Sequence, residues 1–316
     1  PGKYLAEGDI IIKDLDVASL YPSIACVNNM YPAHLGPEFF QVYKNEIVDV
    51  RLAEKKKPKA NRDIAIIEGF KEAANASYGN SNSEYSWLYD PKYTMQTTIN
   101  GQLLVSMQFD KKYLDKYDEI CKEWEKKTKL ILEYADYSAM YIWDVNNYIS
   151  LYTDGNTKCK GRFEWEDLQN YKYSHLHKNK SHLVVAKAIY NYFINGIDPT
   201  EYLKSNTSIF DYCAGVKIKG DWLFYESSIK DGQHVENKLQ KTIRYYISNK
   251  GSKILKINNS DNRQIQVEAG KWMQNVFNTY IEKPFEEYDI NYNYYLENIM
   301  KEIKILEPKN QQLKLF

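Results

Sequence analysis

A chain of 316 residues that is 43% apolar and 27% charged carries enough nonpolar side chain for two or three packed cores, which excludes a disordered polypeptide. Its 42 basic and 42 acidic side chains cancel, so net charge points to no polyanionic partner and any phosphate-binding surface must come from local segregation of charge. No run of about 18 apolar residues and no basic-then-apolar leader occurs, so neither a membrane span nor a signal peptide is expected, and the chain reads as cytoplasmic.

In chain order, residues 9–17 (DIIIKDLDV) read as a strand rich in β-branched side chains, closed by the turn-prone Ser19-Leu20-Tyr21-Pro22. Two-residue alternation puts Asp14 and Asp16 on one face. Residues 51–60 (RLAEKKKPKA) form a basic run broken by Pro58, after which Asn61 can cap a helix over 62–78 with Gly79 as its stop. On that helix Ile67, Lys71, Asn75 and Tyr78 line one face. The spacing predicts a second helix over 97–107 and a third over 110–129, the latter burying Tyr113, Tyr117, Ile120, Cys121 and Trp124. From Leu130 to Trp165 the period changes to that of strands, an antiparallel meander with Asp154-Gly155 as one of its turns. Beyond about residue 170 helices are expected to dominate, one of them capped by Asp198 with Pro199 in its first turn, while 253–268 reads as a hairpin.

The four cysteines (Cys26, Cys121, Cys159, Cys213) are far apart and form no CxxC pair, as expected of buried thiols in a reducing compartment. His175, His177 and His182 lie close together but lack an acidic or thiol neighbour, so they are not expected to hold a metal. Twenty-nine tyrosines suit surfaces that stack or grip as well as a core. The first residue is Pro1 rather than Met, which suggests a piece of something longer or a processed product.

The stretch Asp16-Val17-Ala18-Ser19-Leu20-Tyr21-Pro22-Ser23 resembles the first motif of the family B DNA polymerases, Asp-x-x-Ser-Leu-Tyr-Pro-Ser, at every defining position. Lys71-Glu72-Ala73-Ala74-Asn75-Ala76-Ser77-Tyr78-Gly79 is similar to the same family's Lys-x-x-x-Asn-Ser-x-Tyr-Gly and departs only at Ala76. The segments WDVNNYISLY and KGRFEW resemble the polymerases of tailed bacteriophages. This resemblance implies an α+β right-hand polymerase fold with an antiparallel palm sheet, helical fingers and a mainly helical thumb. The palm would comprise 1–45 and 91–169, the fingers 46–90 and the thumb 170–316, with no proofreading exonuclease because the chain begins just before the first palm motif. It implies nucleotidyl transfer from deoxynucleoside triphosphates to a primer 3′ hydroxyl on primer-template DNA. Two Mg2+ ions would assist, with Mn2+ as the alternative, and the protein would act as a monomer, alone or with a phage or host replication factor.

Phosphoryl transfer by two divalent ions needs a carboxylate exposed at a strand end on a rigid support, and Asp16 stands in such a place. The resemblance implies that Asp16 and the carbonyl of Val17 ligate the metal, and that the backbone N–H groups of Ser19, Leu20 and Tyr21 cradle the triphosphate. The Tyr21 ring would lie under the sugar and exclude a 2′-hydroxyl. Lys71 would face the triphosphate, Asn75 and Tyr78 the nascent base pair, Gly79 the DNA, and Arg51 or one of Lys55, Lys56 and Lys57 would assist with phosphate. Lys158, Lys160 and Arg162 alternate on a strand and would face DNA together, or else form a solvated strand face. Lys178, Lys180, Lys187, Lys241 and Arg244 correspond in position to the thumb, which tracks a duplex through its phosphates.

The resemblance breaks at the second carboxylate motif. The family places it on a hairpin after the second motif, yet here Met107 runs through Gln108 and Phe109 straight into the charged helix. Asp136 in Tyr134-Ala135-Asp136-Tyr137-Ser138, Asp154 in Thr153-Asp154-Gly155, and Asp14 are the substitutes, and loss of the motif by deletion is the fourth outcome. The Asp154 triplet also reads as an ordinary hairpin turn. Ala139 and Trp143 stand where related phage enzymes place Lys and Arg, which removes two expected phosphate contacts.

Overall fold

The structure, a computed structural model, describes residues 1–8, 11–106, 117–165, 181–230, 233–276 and 283–307. It mixes helix and sheet and divides into two compact units, Lys13–Ala135 and Pro1–Ile12 with Asp136–Phe316. Strand β1 (Gly2–Leu5) opens the second of these, and β2 (Ile12–Val17) leads into the first.

The Lys13–Ala135 unit is mostly helical. After β2 come α1 (Leu20–Val27), α2 (Gly36–Val42), a π-helical stretch (Tyr43–Val48) that runs on into α3 (Asp49–Lys56), α4 (Ile64–Gly79), α5 (Pro91–Ser106) and α6 (Tyr117–Thr128). Then β3 (Leu132–Asp144) begins, and β2 pairs with it. Helix α1 lies between two apolar clusters. Ile24 enters one with Val17, Cys121, Trp124, Leu130 and Leu132, while the adjacent Ala25 enters the other with Tyr43, Val48, Ala74 and Tyr93. Each large side chain so buried contributes roughly 1.5–3 kcal/mol, so α1 is anchored from both sides.

Two local expectations change here, and a third is met in its described part. The cap of α4 is Asp63 rather than Asn61. Its carboxylate accepts from the amides of Ala65 (2.9 Å) and Ile66 (3.2 Å), and Asn61 closes a separate 3-10 turn. Helix α5 starts at Pro91 rather than 97, because Pro is tolerated in a first turn and Asp90 accepts from the Tyr93 amide at 3.0 Å. Of the helix expected over 110–129, Tyr117–Thr128 is seen, with Cys121 and Trp124 buried and Ile120 half-buried; residues 110–116, Tyr113 included, lie outside the described residues.

In the second unit β3, β4 (Asn147–Tyr152) and β5 (Thr157–Lys160) form the expected antiparallel meander, with β1 added at the other edge in the order β1-β3-β4-β5. Along β3 the alternate residues Tyr137, Ala139, Tyr141 and Trp143 are buried, and Asp136 and Ser138 point to the opposite face. There follow α7 (Leu183–Asn195), α8 (Pro199–Ser205), α9 (Ile209–Tyr212), β6 (Ala214–Lys217), β7 (Trp222–Lys230), β8 (Gln233–Leu239), β9 (Thr242–Ser248), β10 (Lys253–Asn258), β11 (Gln264–Gln266), β12 (Trp272–Val276) and α10 (Tyr292–Leu306). Among the described residues beyond 170, helices therefore do not dominate. Two antiparallel sheets, β11-β10-β7-β8 and β12-β9-β6, account for much of this region. The reason lies in aromatic and β-branched runs such as TIRYYIS in β9 and WLFYESSI in β7.

Helices α7 and α10 cover the core of this unit with Val184, Ala188 and Ile189 from one and Tyr295, Ile299 and Ile303 from the other. Asp198 caps α8 as expected, accepting from the Thr200 and Glu201 amides at 2.8 and 3.3 Å, and β10 pairs with β11 as the expected hairpin. No helix among the described residues is long and apolar enough to cross a membrane.

Candidate functional site

Both sequence motifs lie in the Lys13–Ala135 unit, where Tyr21 of the first meets Tyr78 of the second. Only Ala18 and Ser19 separate the end of β2 from α1, and Ser19 takes the left-handed conformation (φ 52, ψ 55), which costs a residue with a Cβ about 1–2 kcal/mol. Several contacts hold it there. The Ala18 amide donates to the Ile131 carbonyl (2.9 Å), and the Ser23 hydroxyl donates to the Ala18 carbonyl (2.7 Å). Arg51 on α3 donates from Nη1 to the Ser19 hydroxyl and from Nε to the Ile67 carbonyl of α4 (3.2 Å).

Arg51 was expected to reach a phosphate. It is buried, and its two bonds tie the turn to α3 and α4. Because the Ser19 hydroxyl receives Arg51 and makes no cap bond to α1, the first-turn amides of Leu20 and Tyr21 keep the orientation in which a helix start meets an anion.

Asp16 is exposed one residue before the end of β2, and its carboxylate has no hydrogen-bond or ion-pair partner among the described residues. Val17 beside it is buried, so the carboxylate stands on a fixed support. Asp14 is half-buried. Among the described residues no three His, Cys, Asp or Glu side chains gather as a metal cage. Mg2+ keeps several waters and takes one or two carboxylates with substrate phosphates, so Asp16 with the Val17 carbonyl fits part of such an ion's shell.

On α4, Lys71 and Asn75 are exposed, Tyr78 is half-buried, and Gly79 ends the helix. Lys71 pairs with Glu68 at 3.0 Å, an exposed pair that contributes little and leaves the ammonium able to exchange partners. The rings of Tyr21 and Tyr78 stack with centroids 4.3 Å apart and an interplanar angle of 20°. Burial, and next the neighbouring Tyr78, push the Tyr21 phenol above its ordinary value. Two residues of α5, which sequence reasoning passed over, support the pair: Thr98, whose Oγ1 lies 2.8 Å from the Tyr78 hydroxyl, and Gly101 against the Tyr21 ring. A glycine inside a helical stretch was the available signal for the second.

The candidates of the other unit have different surroundings. Asp136 is exposed on β3 and its carbonyl accepts from the Thr153 amide at 3.2 Å; its unit is not that of Asp16. Asp154 accepts from the backbone and side-chain nitrogens of Asn156, both at 2.9 Å, which makes Thr153-Asp154-Gly155 the hairpin turn between β4 and β5.

Lys158, Lys160 and Arg162 do not share one strand face. Strand β5 stops at Lys160, Gly161 turns the chain with φ 67, and Arg162 lies in a 3-10 turn, half-buried over Trp143 and donating to Glu302 at 2.7 Å. Lys160 pairs with Glu164 at 3.0 Å. Trp143 itself is core, its Nε1 donating to the Glu302 carbonyl at 3.2 Å, and Ala139 is buried with it.

The expected thumb cations are largely engaged within the unit. Lys187 pairs with Asp211 at 2.9 Å, Lys241 donates to the Gly220 carbonyl at 2.9 Å, and Arg244 is buried over Phe210. Lys178, Lys180, His175 and His177 lie outside the described residues. His182 packs against Tyr245, Tyr294 and Tyr295 with Nδ1 2.8 Å from the Tyr212 carbonyl, and burial pushes its pKa below the ordinary value. All four cysteines are free, and burial pushes Cys213 up to about 12. In comparisons with known proteins, no family model matches the chain, and a search of curated proteins finds no match.

Proposed function

We propose that the chain is the palm, fingers and thumb core of a family B-type DNA polymerase of the tailed-bacteriophage kind. It transfers nucleotides from deoxynucleoside triphosphates to a primer 3′ hydroxyl with Mg2+. The supporting observation is that the two motifs meet within one unit. Tyr21 of the first stacks on Tyr78 of the second, and Arg51 ties Ser19 of the first to the helix that carries the second. In this proposal Asp16 and the Val17 carbonyl hold a metal ion, the amides of Ser19, Leu20 and Tyr21 together with Lys71 bind the triphosphate, and Asn75 and Gly79 lie toward the template base pair.

A second reading is a catalytically impaired module that binds primer-template DNA. It is favoured by the run from Met107 through Gln108 and Phe109 into a charged segment, which leaves no room for the second carboxylate hairpin. One assay separates the two: a labelled primer-template with Mg2+ and nucleotides, followed by gel shift without nucleotides. Extension lost in Asp16→Ala supports the polymerase, and equal loss in Asp136→Ala makes these two the acid pair. A gel shift with no extension by the unaltered chain supports the second reading. Neither extension nor shift ends both.

A further inference from the structure

Helix α5 belongs to neither sequence motif, yet one of its faces sets where the Tyr21–Tyr78 stack can lie. Thr98 and Gly101 are three residues apart and so share that face. The Thr98 hydroxyl donates to the Thr94 carbonyl at 2.8 Å, so the Tyr78 hydroxyl is the donor in the 2.8 Å bond to Thr98 Oγ1. This fixes the Tyr78 ring from its polar end. Gly101 makes room for the other ring by having no side chain: a Cβ there would stand 3.3 Å from Tyr21 Cε1 and 3.6 Å from Ile24 Cδ1. Ile24 is fully buried between α1's neighbours and cannot retreat, so the Tyr21 ring edge is the part that must give.

We propose that Thr98 and Gly101 are positioning residues for sugar discrimination: together they hold the Tyr21 ring at the depth at which it excludes a 2′-hydroxyl. This rests on the polymerase reading, in which Tyr21 lies under the incoming sugar. Thr98 acts through Tyr78 and Gly101 acts on Tyr21 directly, and neither touches the nucleotide.

The test compares dATP with ATP at a templating thymine. Selectivity is read as the ratio of Kd values on a dideoxy-terminated primer-template and, where extension occurs, as the ratio of kcat/KM. Gly101→Ala is expected to lower the deoxy-over-ribo ratio about tenfold, equivalent to about 1.4 kcal/mol, with the affinity for dATP changed far less. Thr98→Ala, which adds no bulk, is expected to lower the ratio in the same direction, and Thr98→Ser, which restores the hydroxyl, to return it to the starting value. Gly101→Ala and Thr98→Ala proteins that bind dATP with an unchanged ratio overturn the proposal, as does a Thr98→Ser protein no better than Thr98→Ala. An unaltered chain that discriminates in binding but never extends overturns catalysis and leaves this inference standing. One that binds neither nucleotide, or binds both equally, overturns the inference, and the extension assay decides the polymerase reading separately.

Discussion

Tyr21 in the first turn of α1 and Tyr78 in the last turn of α4 lie ring on ring, 4.3 Å between centroids, although they are far apart in sequence. An offset or stacked aromatic pair contributes about 0.5–1.5 kcal/mol beyond the area it buries. The pair joins two helices that also carry the polar residues of the candidate site.

Tyr78→Phe keeps the stack and removes the bond to Thr98. It is expected to lower the stability of the protein by about 1 kcal/mol in urea denaturation, whereas Tyr78→Ala loses ring, stack and bond and costs about 3–5 kcal/mol. Equal losses in the two variants would assign the whole effect to the hydroxyl and none to the stack.

Arg51 and Ser19 should behave as one unit. Arg51→Met leaves the Ile67 carbonyl and the Ser19 hydroxyl without their donor and is expected to cost about 3 kcal/mol, while Ser19→Ala costs about 1–3 kcal/mol. The double variant should lose less than the two singles together, by 0.5 kcal/mol or more on the usual scale for residues in contact, roughly 0.5–3 kcal/mol. Strict additivity in the cycle would show that the contact contributes nothing.

Gly161 terminates β5 with φ 67, and a Cβ there would collide with the backbone carbonyl of Asn146 and the side-chain oxygen of Asn147. Gly161→Ala therefore combines left-handed strain of about 1–2 kcal/mol with a clash against backbone that cannot rotate away. A thermal melt should show a lower midpoint, and Gly155→Ala, with φ 86 but open space around it, should show a smaller drop.

His182 makes stability depend on pH in a definite direction. Burial lowers its folded-state pKa, with the Tyr212 carbonyl and Glu268 opposing only in part, so the unfolded chain binds the proton more readily. The contribution of a neutral His182 is complete above the unfolded value of about 6.5 and is lost as the pH falls from there through the folded pKa. Denaturation midpoints measured from pH 8 to 5 should fall below about 6.5, and His182→Gln should flatten that slope. An unchanged slope would mean that another group is responsible.

Much of the fold could be read along the chain wherever one local signal acted alone. The β3–β5 meander followed from alternation and an Asp-Gly turn, α8 from Asp198 and Pro199, and a hairpin was expected over 253–268, where β10 pairs with β11. Local signals failed where two competed. Asn61 and Asp63 both offer a cap, and the carboxylate that could reach two free amides took the role. Helices and a phosphate-facing surface were expected after residue 170, but β-branched and aromatic runs built two sheets, and Lys187 and Arg244 turned to Asp211 and Phe210 on α9.

For the candidate site, the sequence alone determined that Asp16 would stand at a strand end just before a turn, because a strand, a turn and their order are local properties. Tertiary structure alone decided that Arg51 would be drawn inward to Ser19, that Arg162 would leave its strand for Trp143 and Glu302, and that Gly101 would leave the space the Tyr21 ring edge occupies. The physical reason is the same in each case. Where a long side chain ends, and how closely two helices approach, depends on atoms distant in sequence, through close packing and the need of every buried donor for an acceptor.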